Sequence, residues 1–246
     1  MDRRTLTTLL SGLMMAFVAQ ASEKPHWSYA GEGAPQHWGS LSPDYSVCAS
    51  GRNQSPINLT GMLDADLAEL QIDYPKTADE IVNNGHSIQV NVQPGDSLTV
   101  GGHRYALKQF HFHSPSENTI EGESFPLEAH FVHADEAGNL AVIAVMYRNG
   151  AANAELAKAW SQMPAQAGDK ARLSAPVDPG VLLPENHDYY RFNGSLTTPP
   201  CSEGVAWYVI KQIDSASEEQ IEHFAHTMHH DNNRPLQPLN ARLIIE

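Results

Sequence analysis

The stretch Gln109-Phe110-His111-Phe112-His113 restricts what this chain can fold into more than any other. From about Arg104 it reads as a β-strand, and side chains alternate across a strand. Gln109, His111 and His113 therefore share one face, while Phe110 and Phe112 take the other. Two imidazoles are aimed at one point from a rigid element whose back is aromatic. Such a strand needs neighbours on both edges and a packed layer behind it. The sequence offers both. Short alternating runs recur at Leu70–Tyr74, Ile88–Val92, Leu98–Val100, Tyr105–His113, Glu128–His133, Leu140–Tyr147 and Val205–Ile210. Turn signals separate them, among them Asn83-Asn84-Gly85, Pro94-Gly95-Asp96, Gly101-Gly102 and Gly138-Asn139. Two helices are expected, one over about Ala152–Met163 and one after Ser215, where Glu218 offers a capping box. The second carries Ile221, Phe224, Ala225 and Met228 as an apolar stripe. Residues 27–55, rich in Gly, Pro and Ser, carry Trp27, Tyr29 and Trp38 and read as irregular chain packed by aromatics. The fold expected is mainly β (α+β): a single domain around a large, mostly antiparallel twisted sheet with a few peripheral helices.

The first residues read as an export signal. Arg3 and Arg4 precede an apolar run from about Leu9 to Val18, and Ala19-Gln20-Ala21 fits a small-x-small cleavage site. Residues 1–21 are thus expected to be removed, leaving one domain over 22–246 in the periplasm or outside the cell; the export route, general secretory or twin-arginine, stays open. In an oxidising compartment, an even pair of cysteines is expected to form a disulfide, Cys48 with Cys201. The balance of 15 basic to 29 acidic residues, net charge −14, argues against a nucleic acid or an anionic membrane as partner.

With 13 histidines in the chain, roughly one His-x-His pair arises by chance, so the pair needs its context. That context is His130, on a second strand that puts Glu128, His130 and Val132 on one face and Ala129, Phe131 and His133 on the other. Three neutral imidazoles without a fourth protein ligand suit an open zinc site used for catalysis; a structural zinc would want a fourth Cys or His. Gln109 and Glu128 flank the imidazoles on the same faces and can orient them by hydrogen bonds. His223, His226, His229 and His230 crowd the last helix and read as its polar face.

Several motifs together resemble the α-class carbonic anhydrases, in particular the bacterial periplasmic type. They are Gln54-Ser55-Pro56-Ile57-Asn58, Asn83-Asn84-Gly85-His86, the Gln109–His113 stretch with Glu117, Glu128–His133, Ser195-Leu196-Thr197-Thr198-Pro199-Pro200, Val205-Ala206-Trp207 and Asn233–Pro238. The resemblance implies zinc-dependent, reversible hydration of carbon dioxide to bicarbonate and a proton. It implies that His111, His113 and His130 hold the zinc, and that Thr197 orients the hydroxide nucleophile while donating its own proton to Glu117. Thr198 would seat bicarbonate, and Val132, Val142, Leu196 and Trp207 would form the apolar wall for carbon dioxide. His86 would carry protons out, a role suited to a group whose ordinary pKa is about 6.5, with Tyr29 and Asn84 ordering the connecting waters. Sulfonamides and small anions would inhibit. The oligomeric state is left open, a homodimer being common among related bacterial enzymes. The chain departs from the animal pattern at Ser114-Pro115, at Asn118, where a His is frequent, and at Cys201-Ser202.

Two other classes compete. A silent binding domain of the same fold would lack a zinc histidine, and all three are present. A zinc-scavenging protein would display ligands on an open His-rich loop, whereas here they lie on strands beside an apolar wall.

Overall fold

A computed structural model describes residues 26–246, so the expected export signal lies outside the described residues. Eleven strands form one sheet. Its main path runs Lys170–Val177, Ala78–Asn83, Ile88–Asn91, His103–His113, Leu127–Ala134, Leu140–Asn149, Glu203–Ile210 and Tyr189–Ser195. Pairing is antiparallel from one edge as far as Leu140–Asn149. That strand then pairs in parallel with Glu203–Ile210 and with Asp214–Ala216, so the sheet is mixed. The two histidine strands sit at its centre, where neighbours on both sides hold them.

The alternation foreseen for those strands decides which side of the sheet becomes which. Phe110, Phe112, Ala129 and Phe131 are fully buried on the back, with Ile143, Val145 and Tyr147 from the next strand. Two helices, Ala154–Trp160 and Glu218–Met228, seal this layer with Leu156, Trp160, Ile221, Phe224 and Met228. Trp160 stands edge-on to Phe112 at 4.8 Å. The front carries a second apolar cluster, including Val142, Ala144, Val205 and Trp207, and opens on the histidines.

Four local expectations need correction. The first helix is shorter than the Ala152–Met163 expected, because Asn153 caps it by accepting from the N–H groups of Glu155 and Leu156. The second is capped by Ser217 with Gln220 rather than Ser215 with Glu218, since Asp214–Ala216 is taken up as a strand. Ala225 is exposed and leaves the apolar stripe to Ile221, Phe224 and Met228. The segment taken as irregular contains short helical turns at Trp38–Leu41 and Val47–Ser50. Ser55-Pro56 is cis. Cys48 and Cys201 are joined across 153 positions, beside Trp38 and Tyr45.

His133 belongs to the back of the sheet and is fully buried. Its Nδ1–H donates to the Ala141 carbonyl at 3.2 Å, and its Nε2 faces the Tyr74 hydroxyl at 2.5 Å, which donates to it. Both nitrogens are satisfied only in the neutral ring, and burial lowers the pKa to about 4. The unfolded chain, with His near 6.5, takes up a proton first as pH falls. Stability from this residue is therefore complete above about pH 6.5 and is lost as pH drops through 4, by about 3 kcal/mol in all. In urea unfolding between pH 7 and 4, His133→Gln should show a shallower fall of stability with pH than the wild type, by this residue's share.

Candidate metal centre

His111 and His130 are direct cross-strand partners, and His113 is the next residue on the same face. Their ring centroids lie 4.6–5.3 Å apart. One nitrogen from each converges, all within 4.8 Å of one another, and no other such group of His, Cys, Asp or Glu occurs among the described residues. The other nitrogens are tied back to the protein. His111 Nδ1–H donates to Gln109 Oε1 at 2.9 Å, His113 Nδ1–H to the Asn232 carbonyl at 2.7 Å and His130 Nε2–H to Glu128 Oε1 at 2.8 Å. Each acceptor fixes a tautomer, so the lone pairs of His111 Nε2, His113 Nε2 and His130 Nδ1 point at the shared space. His113 Nε2 is buried and has no hydrogen-bond partner in the protein. Burial and mutual repulsion hold His111 well below the ordinary imidazole range, burial and His113 do the same to His130, and burial lowers His113. Neutral imidazoles with free, converging lone pairs are what a borderline cation such as zinc requires. The donor set fits the metal.

Glu128 is buried because four donors need it. It accepts from His130 Nε2, from the backbone N–H of Glu117 and Asn118, and from Asn118 Nδ2. Glu117 is also fully enclosed, and burial pushes its pKa up to about 8, opposed by the Arg234 N–H, which donates to Oε1, and by the Thr197 hydroxyl beside it. Its other oxygen lies 3.5 Å from His113 Nε2. Trp207 stands edge-on to His130 at 4.9 Å, and Val132, Val142 and Leu196 join it in one apolar surface beside the imidazoles. The loop carrying Thr197 and Thr198 is closed by Cys201 N–H donating to the Thr198 carbonyl. At Gly194, on the strand leading into that loop, a Cβ would come within 2.1 Å of Ser55 Oγ, so only glycine fits.

The residues expected at the exit are placed less simply. His86 lies flat on Trp27, ring centroids 3.6 Å apart and planes 10° from parallel. Its pKa is lowered to about 4 by burial and by His26 and His230. Asn84 is exposed, and its Oδ1 accepts from the His86 and Ser87 N–H groups, so it shapes the turn. The Tyr29 hydroxyl is buried without a hydrogen-bond partner in the protein and is pushed well above the usual tyrosine range by burial and by Glu117.

The family model described as eukaryotic-type carbonic anhydrase matches residues 33–246. The chain belongs to that family. A carbonic anhydrase of Pectobacterium carotovorum is 52% identical over 95% of this chain and 96% of its own length. One of Neisseria gonorrhoeae is 47% identical over 99% and 98%. The α-carbonic anhydrase of Thermovibrio ammonificans, solved with the inhibitor sulfanilamide, superposes with a TM-score of 0.89 at 50% identity, covering 90% of this chain and 99% of that one. This chain is accordingly a carbonic anhydrase, an enzyme.

Two residues of this carbonic anhydrase's centre were given no role by the sequence alone. Asn232 supports His113 through a backbone carbonyl, and its side chain donates to the His86 and Phe112 carbonyls. Arg234 is buried, donates its N–H to Glu117, and sends its guanidinium to Gln54 Oε1 and the Ser55 and Cys48 carbonyls. Both fall beside or within a motif visible in the sequence, yet a main-chain contact leaves no mark in residue type. Asn118 serves Glu128, not the Glu117 carboxylate, and its Oδ1 accepts the buried Ile57 N–H. Asn118→Ala strands both partners, so chemical denaturation should show a loss of about 2 kcal/mol or more; Asn118→Asp, which keeps an acceptor for Ile57 but sets a second carboxylate against Glu128, should not rescue it.

Proposed function

We propose that this carbonic anhydrase holds zinc with His111, His113 and His130 and hydrates carbon dioxide reversibly to bicarbonate and a proton. The observation that carries the reading is the set of three imidazoles whose second nitrogens are all engaged by protein acceptors, leaving one lone pair each turned to a common point. Zinc supplies Lewis acidity there, and carbonic anhydrase is itself the standard instance of zinc bringing a water's pKa to about 7.

The chain's own groups do the rest. Glu117 accepts the Thr197 proton, so the Thr197 oxygen can only present a lone pair toward the centre and orients a nucleophile that has a proton to donate. The same polarity discriminates against ligands that have none. Val132, Val142, Leu196 and Trp207 offer carbon dioxide, which is uncharged and needs no hydrogen bond, an apolar surface next to that nucleophile. Thr198, at the mouth of the same loop, seats the charged product. Protons leave past Tyr29 and Asn84 to His86, and solvent takes them from there. The inhibitor in the Thermovibrio complex supports sulfonamides as ligands here. Export to the periplasm, supported by the apolar run and small-x-small site at the start of the sequence, completes the reading.

Stopped-flow hydration of carbon dioxide by the purified protein tests it. Zinc-loaded enzyme should be active and chelated enzyme should fall to background, with one zinc bound per chain. Thr197→Ala should lower kcat/KM about a hundredfold, the scale of losing one positioned donor–acceptor group, while zinc content stays unchanged. Background activity in zinc-replete wild type would overturn the proposal.

A further inference from the structure

Proton exit through His86 alone meets a difficulty. A proton accepted by His86 must go to a ring held against Trp27 and flanked by two further imidazoles, those of His26 and His230. Burial first, then His26 and His230, lower His86 to about 4, so the ring is a weak acceptor at neutral pH. A positioned acid–base group works best when its pKa lies near the operating pH. The mouth of the site holds another candidate.

His230 follows the helix Glu218–Met228 and is exposed. Its ring centroid lies 5.8 Å from that of Tyr29, whose hydroxyl on the inner side is unpartnered and feels Glu117. Tyr29 therefore stands between the centre and His230. The Nδ1 of His230 faces the Asp231 carbonyl at 3.0 Å; a carbonyl only accepts, so Nδ1 carries the hydrogen and Nε2 has the free lone pair. His26, exposed on the segment before Trp27, brings its ring to 6.3 Å from that of His86 on the other side. Imidazoles from three separate stretches thus ring the Trp27–Tyr29 rim.

We propose that His230 is a second proton-exit residue of this enzyme, taking the proton released in each turnover on Nε2 and handing it to buffer. The inference rests on the hydration reading above. The balance is simple: Nε2 gains the proton, the ring becomes an imidazolium with both nitrogens protonated, and a buffer base removes that proton to regenerate the neutral tautomer. No co-reactant beyond buffer is needed. His86 and His26 are then partners in one cluster where a charge on any ring disfavours a charge on the others.

The test uses the zinc-loaded full chain in weak buffer. His230→Ala should lower kcat several-fold, well short of the roughly hundredfold that a sole acid–base group supplies, because His86 remains. The kcat/KM, which reports the attack on carbon dioxide and not the exit of the proton, should hold, and added imidazole should restore kcat. His86→Ala/His230→Ala should lose more than either single variant. Independently of turnover, the NMR titration midpoint of His86 should rise in His230→Ala. Wild-type kcat in His230→Ala, with the whole loss carried by His86→Ala, overturns the proposal, and so does a His86 midpoint that does not move. Background hydration by the wild type overturns the reading beneath it instead, and the His86 midpoint would still judge the cluster.

Discussion

The centre depends on one register: His111 opposite His130 in the ladder between His103–His113 and Leu127–Ala134. Side chains alternate with a period of two, so a slip by one residue would turn both imidazoles into the aromatic core and Phe110 and Phe131 into the cleft. The stack of Phe110 on Phe131, centroids 5.3 Å apart, makes that slip prohibitive from behind. A bulge completes the arrangement. Leu107 pairs with His133 and Gln109 with Val132, leaving Lys108 as an extra residue that faces solvent. In a regular strand without the bulge, Leu107 and Gln109 would fall on the same face, and either the core would lose a leucine or His111 would lose its acceptor.

Register places the imidazoles; buried acceptors decide their protonation. Glu128 and Glu117 lie in a low-dielectric interior where a carboxylate is costly unless donors surround it. Glu128 has four such donors, and burial still holds its pKa up. Glu117 has the Arg234 N–H as its donor, the Thr197 hydroxyl beside it and the Arg234 guanidinium as the nearby positive charge. A dication among the imidazoles would supply the missing counter-charge to both. The apparent excess of buried acid around a ring of neutral bases is thus one electrostatic unit.

Much of this was legible in the residues. The face of each histidine followed from alternation alone, and the Gln109 and Glu128 contacts followed from their sharing those faces. The Val132, Val142, Leu196 and Trp207 surface and the Thr197–Glu117 pairing were singled out only through motif resemblance, since valine, leucine and tryptophan are ordinary core residues by type. What stayed hidden has a common physical cause. The bulge at Lys108, the Asn232 carbonyl and the parallel pairing of Asp214–Ala216 are properties of the main chain, which residue identity encodes weakly. The strands Ala78–Asn83, Lys170–Val177 and Tyr189–Ser195 went unread for a related reason. Their polar and small residues give little alternation, and their place is set by neighbouring strands. His86 illustrates the converse: its place in a turn was readable, while its stack on Trp27, 59 positions earlier, was not.

The separations within the centre tie its integrity to that of the whole fold. His113 is supported by a residue 119 positions away, Glu117 by one 117 away, and Arg234 reaches back 180 positions to Gln54. None of these contacts can form in a locally folded piece, because each closes a loop spanning about half the chain or more. Arg234 also donates to the Cys48 carbonyl, and Gln54 to that of Cys201, so the cross-link and the acid network share two side chains. The cross-link limits the unfolded chain across the interval in which the histidine strands lie. A change that loosens the segment Asn232–Arg234 therefore acts on the His113 tautomer, the Glu117 acceptor and the disulfide loop together. Damage to this centre should be seen as a loss of cooperative structure before it is seen as the loss of a single ligand.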